Sequence, residues 1–148
     1  MRMSAARRWT PSLLWGATIL VATSIPGRAI PTAPAIPGLD KVVHLGLYAM
    51  LGWLVMGAMS RATAVPGAAM HTPEAGAMGG LGMGAPLRAI GAIALFAALD
   101  EWHQQFIPGR GADPLDWTAD VTGALLGLAL GSFRNRTMMA HARRETRT

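Results

Sequence analysis

The chain has 148 residues, 51% of them hydrophobic and 14% charged, with no cysteine and a mean hydropathy of +0.32. That composition excludes a disordered chain, which is poor in apolar residues, and the missing cysteines exclude disulfide scaffolds, thiolate catalysis and iron–sulfur chemistry. Lys and Arg number 13 against 8 Asp and Glu, a net charge of +5, so the positions of the charges decide whether they mark nucleic acid or membrane.

The sequence predicts an all-α chain with four apolar helices, spanning about 9–25, 42–59, 87–106 and 116–133. A membrane-spanning helix needs roughly 20 residues, within a range of about 17–25. The first two runs reach that length almost unaided. Arg7 and Arg8 before the first run resemble the start of a signal peptide, but Ile25-Pro26-Gly27-Arg28 makes a poor cleavage site, so retention as a helix is expected. The third and fourth runs span only if they include the polar stretch from Asp100 to Phe106 and begin near Asp116. Charges at membrane depth cost about 2.5–3.5 kcal/mol each near the bilayer centre, so these groups must face one another inside a bundle.

Orientation follows from the arginines. With residues 1–8 as a basic cytoplasmic tail, ten basic residues fall inside: three in that tail, Arg61 and Arg88 at the two ends of the loop 61–86, and five in a second tail at 134–148. Only Arg28, Lys41 and Arg110 fall outside. This bias predicts a four-span protein of the bacterial inner (plasma) membrane with both termini cytoplasmic. It also explains the high pI without nucleic acid, which is not expected as a partner. Six acids (Asp40, Asp100, Glu101, Asp113, Asp116 and Asp120) gather at the outer side, leaving Glu74 and Glu145 inside. Any chemistry is therefore expected to be extracytoplasmic.

The connections carry less information. The four prolines from Pro26 to Leu39 predict an extended outer loop. The Gly-rich run 76–84 lacks a preceding strand and the Lys-Ser/Thr of a phosphate loop, so a flexible linker is expected. Met70, Met78 and Met83 have no regular ligand spacing and read as low complexity rather than a copper site.

Helical spacing groups the polar residues. Asp40, His44, Tyr48 and Leu51 share one face of the second span, with Asp40 also a candidate N-cap. Asp100, Glu101 and Gln104 share an arc of the third, with His103 at its edge. In the fourth, Asp116 and Asp120 lie one turn apart above a Gly123, Gly127, Gly131 ridge that permits close helix approach. The Pro108-Gly109 turn is expected to bring Arg110 back to the acids, where its fork can pair with carboxylates or an incoming phosphate. Crowded carboxylates need retained protons, a divalent cation or pairing to Arg110. Three readings stay open: a ligand-binding or catalytic pocket, a salt-bridge network that locks the bundle, and proton or ion conduction. No serine lies within these clusters; Ser24, at the outer end of the first span, is expected to cap the helix.

Asp40-Lys41-Val42-Val43-His44, with Tyr48 and Leu51-Gly52, resembles the D-K-x-x-H-x-x-x-Y-x-x-L-G segment of VanZ-like membrane proteins. The stretch from Asp100 to Arg110 is similar to their D-E-x-x-Q-x-F-x-P-G-R segment, and Asp116 to Gly127 to their D-x-x-x-N/D-x-x-G-x-x-x-G ending. Asp120 stands where many members carry Asn. The resemblance implies a multi-pass membrane fold in the cell envelope, in a family whose namesake is associated with teicoplanin resistance and whose reaction is not firmly assigned. The expectation is an outward polar pocket that binds or modifies an anionic, lipid-linked ligand such as a cell-wall precursor, or a glycopeptide, amid membrane lipids. Lys41 and Arg110 would hold the anion. Asp100, Glu101, His44 and Asp116 would be the acid–base or cation-ligand groups, oriented by Gln104 and Tyr48, with Asp40 and Asp120 alongside. No organic cofactor is evident; a divalent cation is compatible with the set. If the pocket is catalytic, hydrolysis or group transfer is the expected class. Non-catalytic interaction and a small proton-coupled carrier are the alternatives.

Overall fold

A computed structural model describes residues 5–29, 36–63 and 84–145. Among them are four helices and no strand: α1 (Ala5–Thr23), α2 (Leu39–Thr63), α3 (Gly84–Gln104) and α4 (Pro114–Glu145), with a single 3-10 turn at Gly27–Ala29. Residues 30–35 of the proline-rich connection and 64–83 of the Gly/Met-rich loop, with Glu74, Met70, Met78 and Met83, lie outside the described residues.

Local chemistry explains the boundaries. Gly38 takes a positive φ of 80° immediately before α2, a conformation that costs glycine nothing. Pro114 opens α4, where its missing N–H is no loss, and Asp113 Oδ1 accepts the Leu115 N–H at 2.8 Å as the cap. α3 stops at Gln104 rather than continuing through Phe106. The next three amides bond carbonyls only three residues back, and Pro108 then offers no N–H to carry the turn on. α4 does not end at Phe133 but runs on to Glu145. The helix continues there because the segment beyond Phe133 is rich in Arg, Met and Ala and holds no Gly or Pro before Glu145.

The most extensive contact is between α2 and α4. Gly123, Gly127 and Gly131 lie directly against α2, so closely that a Cβ at Gly123 would meet the Leu45 carbonyl and one at Gly127 the Ala49 carbonyl. Gly52 of α2 meets the Ala124 carbonyl in the same way. Tyr48, Leu51, Val55 and Met59 of α2 then bury against Ala89, Ile93 and Ala97 of α3 and Ala124 and Leu128 of α4. α1 is attached through buried Ile19 and through Trp15, whose indole N–H donates to the Leu47 carbonyl at 2.8 Å. α1 and α3 barely touch, leaving an apolar groove of about 680 Å³ lined from Trp9 and Leu13 at one end to Leu20 and Phe96 at the other.

The burial pattern is inverted relative to a water-soluble bundle. Leu13, Val42, Leu95, Leu130 and Phe133 are more than half exposed, whereas Asp100 is 1% and Asp120 0% exposed. By length and apolar content, one described helix is able to cross a membrane: α2 over Leu39–Arg61, with a mean hydropathy of 1.7.

Candidate functional site

Polar groups converge from all four helices, all of them buried except the half-buried Lys41. α2 contributes Lys41, His44 and Tyr48 at successive turns, α3 contributes Asp100, Glu101 and Gln104, and α4 contributes Asp116 and Asp120. Thr23, the last residue of α1, closes the group, and its hydroxyl donates to Asp100 Oδ1 at 2.7 Å. The Tyr48 hydroxyl donates to Asp100 Oδ2 at 3.4 Å.

His44 Nδ1 lies 3.0 Å from Asp120 Oδ1. With Asp120 ionised and the imidazole neutral, the ring proton sits on Nδ1 and Nε2 presents a lone pair. Asp120 Oδ2 is buried and has no partner among the described residues. Glu101 Oε1 accepts from Gln104 Nε2 at 3.0 Å, and its Oε2 accepts the Asp113 backbone N–H at 2.8 Å. The start of the loop-to-α4 turn is thereby tied to α3. Lys41 Nζ bridges Asp113 Oδ2 at 2.6 Å and Asp116 Oδ1 at 2.7 Å, and also reaches Asp40 Oδ2 at 3.1 Å. Donation from the Lys41 ammonium holds the Asp113 carboxyl below the usual carboxylate range.

His44, Glu101 and Asp116 each offer a ligand atom within 4.8 Å of the others, one from each of three helices. Glu101 and Asp113 also line a crevice of about 340 Å³ whose apolar wall includes Trp102 and Trp117. The arrangement thus offers an imidazole beside two carboxylates, of which Glu101 also faces the crevice. Chemically it can relay a proton or ligate a cation.

Two sequence expectations are corrected. Arg110 does not pair with the acids: its Nε donates to the Ile25 carbonyl at 2.9 Å, and its other nitrogens reach Ala22 O at 3.4 Å and Gln104 Oε1 at 3.5 Å. The loop carries the guanidinium over the carbonyl-rich end of α1, where a cation is favoured. Asp40 does not join the inward face either; its side chain is 60% exposed and pairs with Lys41. Asp116 and Asp120 are both inward and divide their partners between Lys41 and His44. Ser24 bonds back to the Leu20 carbonyl at 2.6 Å, as a helix-end residue does.

Sequence reasoning missed Thr23 and Asp113 as members of the cluster. Thr23 lay beside Ser24 in an apolar run, with nothing in the spacing to link it to Asp100 on α3. For Asp113 the signal existed: an Asp immediately before Pro at a helix start is a capping pattern.

The VanZ/LLP1 family model matches residues 3–135, a stretch that contains every residue of the cluster. The chain belongs to the VanZ/LLP1 family. No curated protein and no solved structure matches it. Family membership agrees with the three motifs, and the structure shows that the polar positions of those motifs meet in one place, Asp40 and Arg110 excepted.

Proposed function

We propose that this VanZ-family chain is a four-span membrane protein, both termini cytoplasmic, whose outward polar pocket binds or modifies an anionic, lipid-linked envelope ligand. The observation that carries this reading is the apolar exterior around a charged interior. Exposed Leu, Val and Phe on every helix suit hydrocarbon, and carboxylates in hydrocarbon are tolerated only where they meet one another and a route to water. α1 and α3, with 19 and 21 residues, are about 28 and 31 Å long at 1.5 Å per residue, near the thickness of a bilayer core.

The surroundings of the pocket favour an amphiphile. Phe96 lines the apolar groove and its ring lies 6.0 Å from that of Tyr48, which donates to Asp100. An acyl chain in the groove would hold its headgroup beside the cluster. Lys41 and Arg110, the two cations assigned to the anion by sequence, are already engaged by protein oxygens. A divalent cation on His44 Nε2, Glu101 and Asp116 would supply the missing positive charge, with Asp120 orienting the imidazole from behind as second-sphere carboxylates do. An N,O,O set without sulfur suits zinc or manganese and leaves a coordination position open.

A second reading, a lock on the bundle, is favoured by the same ion pairs: Lys41 to Asp113 and Asp116, and His44 to Asp120. Glu101→Gln and Asp116→Asn separate the two in a glycopeptide-sensitivity assay. Loss of activity in folded protein supports the pocket; full activity in both variants leaves only the lock. Labelling a cysteine at Arg110 from outside the cell supports the orientation, and labelling from the cytoplasm overturns it. Elemental analysis of purified protein tests the cation, which is rejected if chelated protein takes up neither zinc nor manganese.

A further inference from the structure

At the opposite end of the bundle, Arg61 of α2 stands about 25 Å along the helix from His44. A Cβ on Gly57 would lie 3.1 Å from Arg61 Nη2 and 3.5 Å from Arg134 Nη2. The two nitrogens are therefore at most about 6.6 Å apart, a spacing at which like charges repel unless an anion lies between them. Both side chains are held in place. Arg61 Nε donates to the Gly57 carbonyl at 2.9 Å, and the Arg134 guanidinium stacks 4.3 Å above the Trp53 ring. Neither forms an ion pair with an acid among the described residues, and Arg134 Nε is buried without an acceptor. These groups, with Ser60 and Asn135, line a cavity of about 590 Å³ whose other walls are the apolar Leu54 and Met138.

We propose that this cavity binds a phosphate group, supplied by the headgroup of an anionic phospholipid. Arg61 and Arg134 take the phosphate oxygens from two sides, as guanidinium forks do. The absent side chain at Gly57 leaves the floor clear for close approach. Ser60 donates to the Met56 carbonyl and accepts from Asn135 Nδ2, which fixes the Asn135 amide with its second N–H beside the phosphate, and Leu54 and Met138 face the glycerol and acyl carbons. The site is separate from the carboxylate cluster, so neither proposal depends on the other.

The test uses the full chain in detergent, with tryptophan quenching by brominated phosphatidylglycerol or brominated phosphatidylcholine. The wild type is expected to prefer the anionic lipid by about tenfold, and Arg61→Gln or Arg134→Gln to remove that preference. Arg136→Gln deletes an equal charge two residues away on an exposed side chain and is expected to change the preference less than twofold. Equal affinity of the wild type for both lipids overturns the proposal, and so does an Arg136→Gln loss as large as that of Arg134→Gln. Because the wild-type comparison requires no variant, a misfolded substitution does not obscure the outcome. A second arm titrates inorganic phosphate alone. Saturable binding that displaces the lipid assigns the site to free phosphate; no binding with the lipid preference intact assigns it to the headgroup; absence of both rejects the site.

Discussion

Gly127→Ala is the sharpest probe of how this bundle is assembled. A Cβ at that position would collide with the Ala49 carbonyl and come within 2.8 Å of Trp53 N, both backbone atoms of α2. Overpacking usually costs about 1–3 kcal/mol where side chains can yield. Backbone cannot rotate aside, so α2 and α4 must separate and the cost belongs at the upper end, about 3 kcal/mol. Alanine returns about 0.8–1.0 kcal/mol through its better helix propensity, which leaves a net loss of about 2 kcal/mol. At about 2–4 °C per kcal/mol for a chain of this size, Tm should fall by about 4–8 °C. The assay is thermal unfolding of purified protein in detergent, followed by near-ultraviolet circular dichroism. Gly46→Ala and Gly91→Ala are the controls, since a Cβ at either meets nothing within 4 Å; both should hold or raise Tm. A Gly127→Ala protein that melts at or above the wild type, or a Gly46→Ala protein that loses as much, would refute the seam. Separation of the helices should also reach the site, because the 3.0 Å contact between His44 and Asp120 joins the same pair of helices.

Two further outcomes are expected. Thr23→Val keeps the shape of the side chain but removes the donor to Asp100, a residue with 1% exposure, and should destabilise by about 1–3 kcal/mol. Thr23→Ser should recover most of that loss, and equal melting of all three proteins would remove Thr23 from the cluster. Asp113 has its carboxyl held low by Lys41, so its contribution is fully present above the ordinary value of about 3.9 and disappears as pH falls through the folded value. Stability should therefore decline below about pH 4, and Asp113→Asn, which preserves the helix cap, should flatten that part of the profile. Identical acid slopes for wild type and variant would contradict the assignment.

The candidate site was legible in proportion to how local its geometry is. His44 and Tyr48 share a face because α-helical spacing requires it, and the Gly123, Gly127, Gly131 ridge could be read as a seam for the same reason. Asp40 obeys that spacing and still lies outside, because at the first turn of α2 no neighbouring helix covers it. Arg110 shows the limit from the other side. Its charge made pairing with acids a reasonable expectation, but the Pro108-Gly109 turn, with Gly109 at a φ of 77°, delivers it to the carbonyl end of α1.

Composition, apolar run lengths and motif spacing were sufficient for the helical class, the number of helices and the family, since each rests on periodicity along one chain. The alignment of α2 with α4, the union of Thr23 with Asp100, and the division of Asp116 and Asp120 between Lys41 and His44 were decided by tertiary structure alone. The approach of two arginines over Gly57 belongs with them. Helical spacing determines which side chains share a face, but which face meets which depends on how closely backbones can pack, and here the glycines of α4 set that distance.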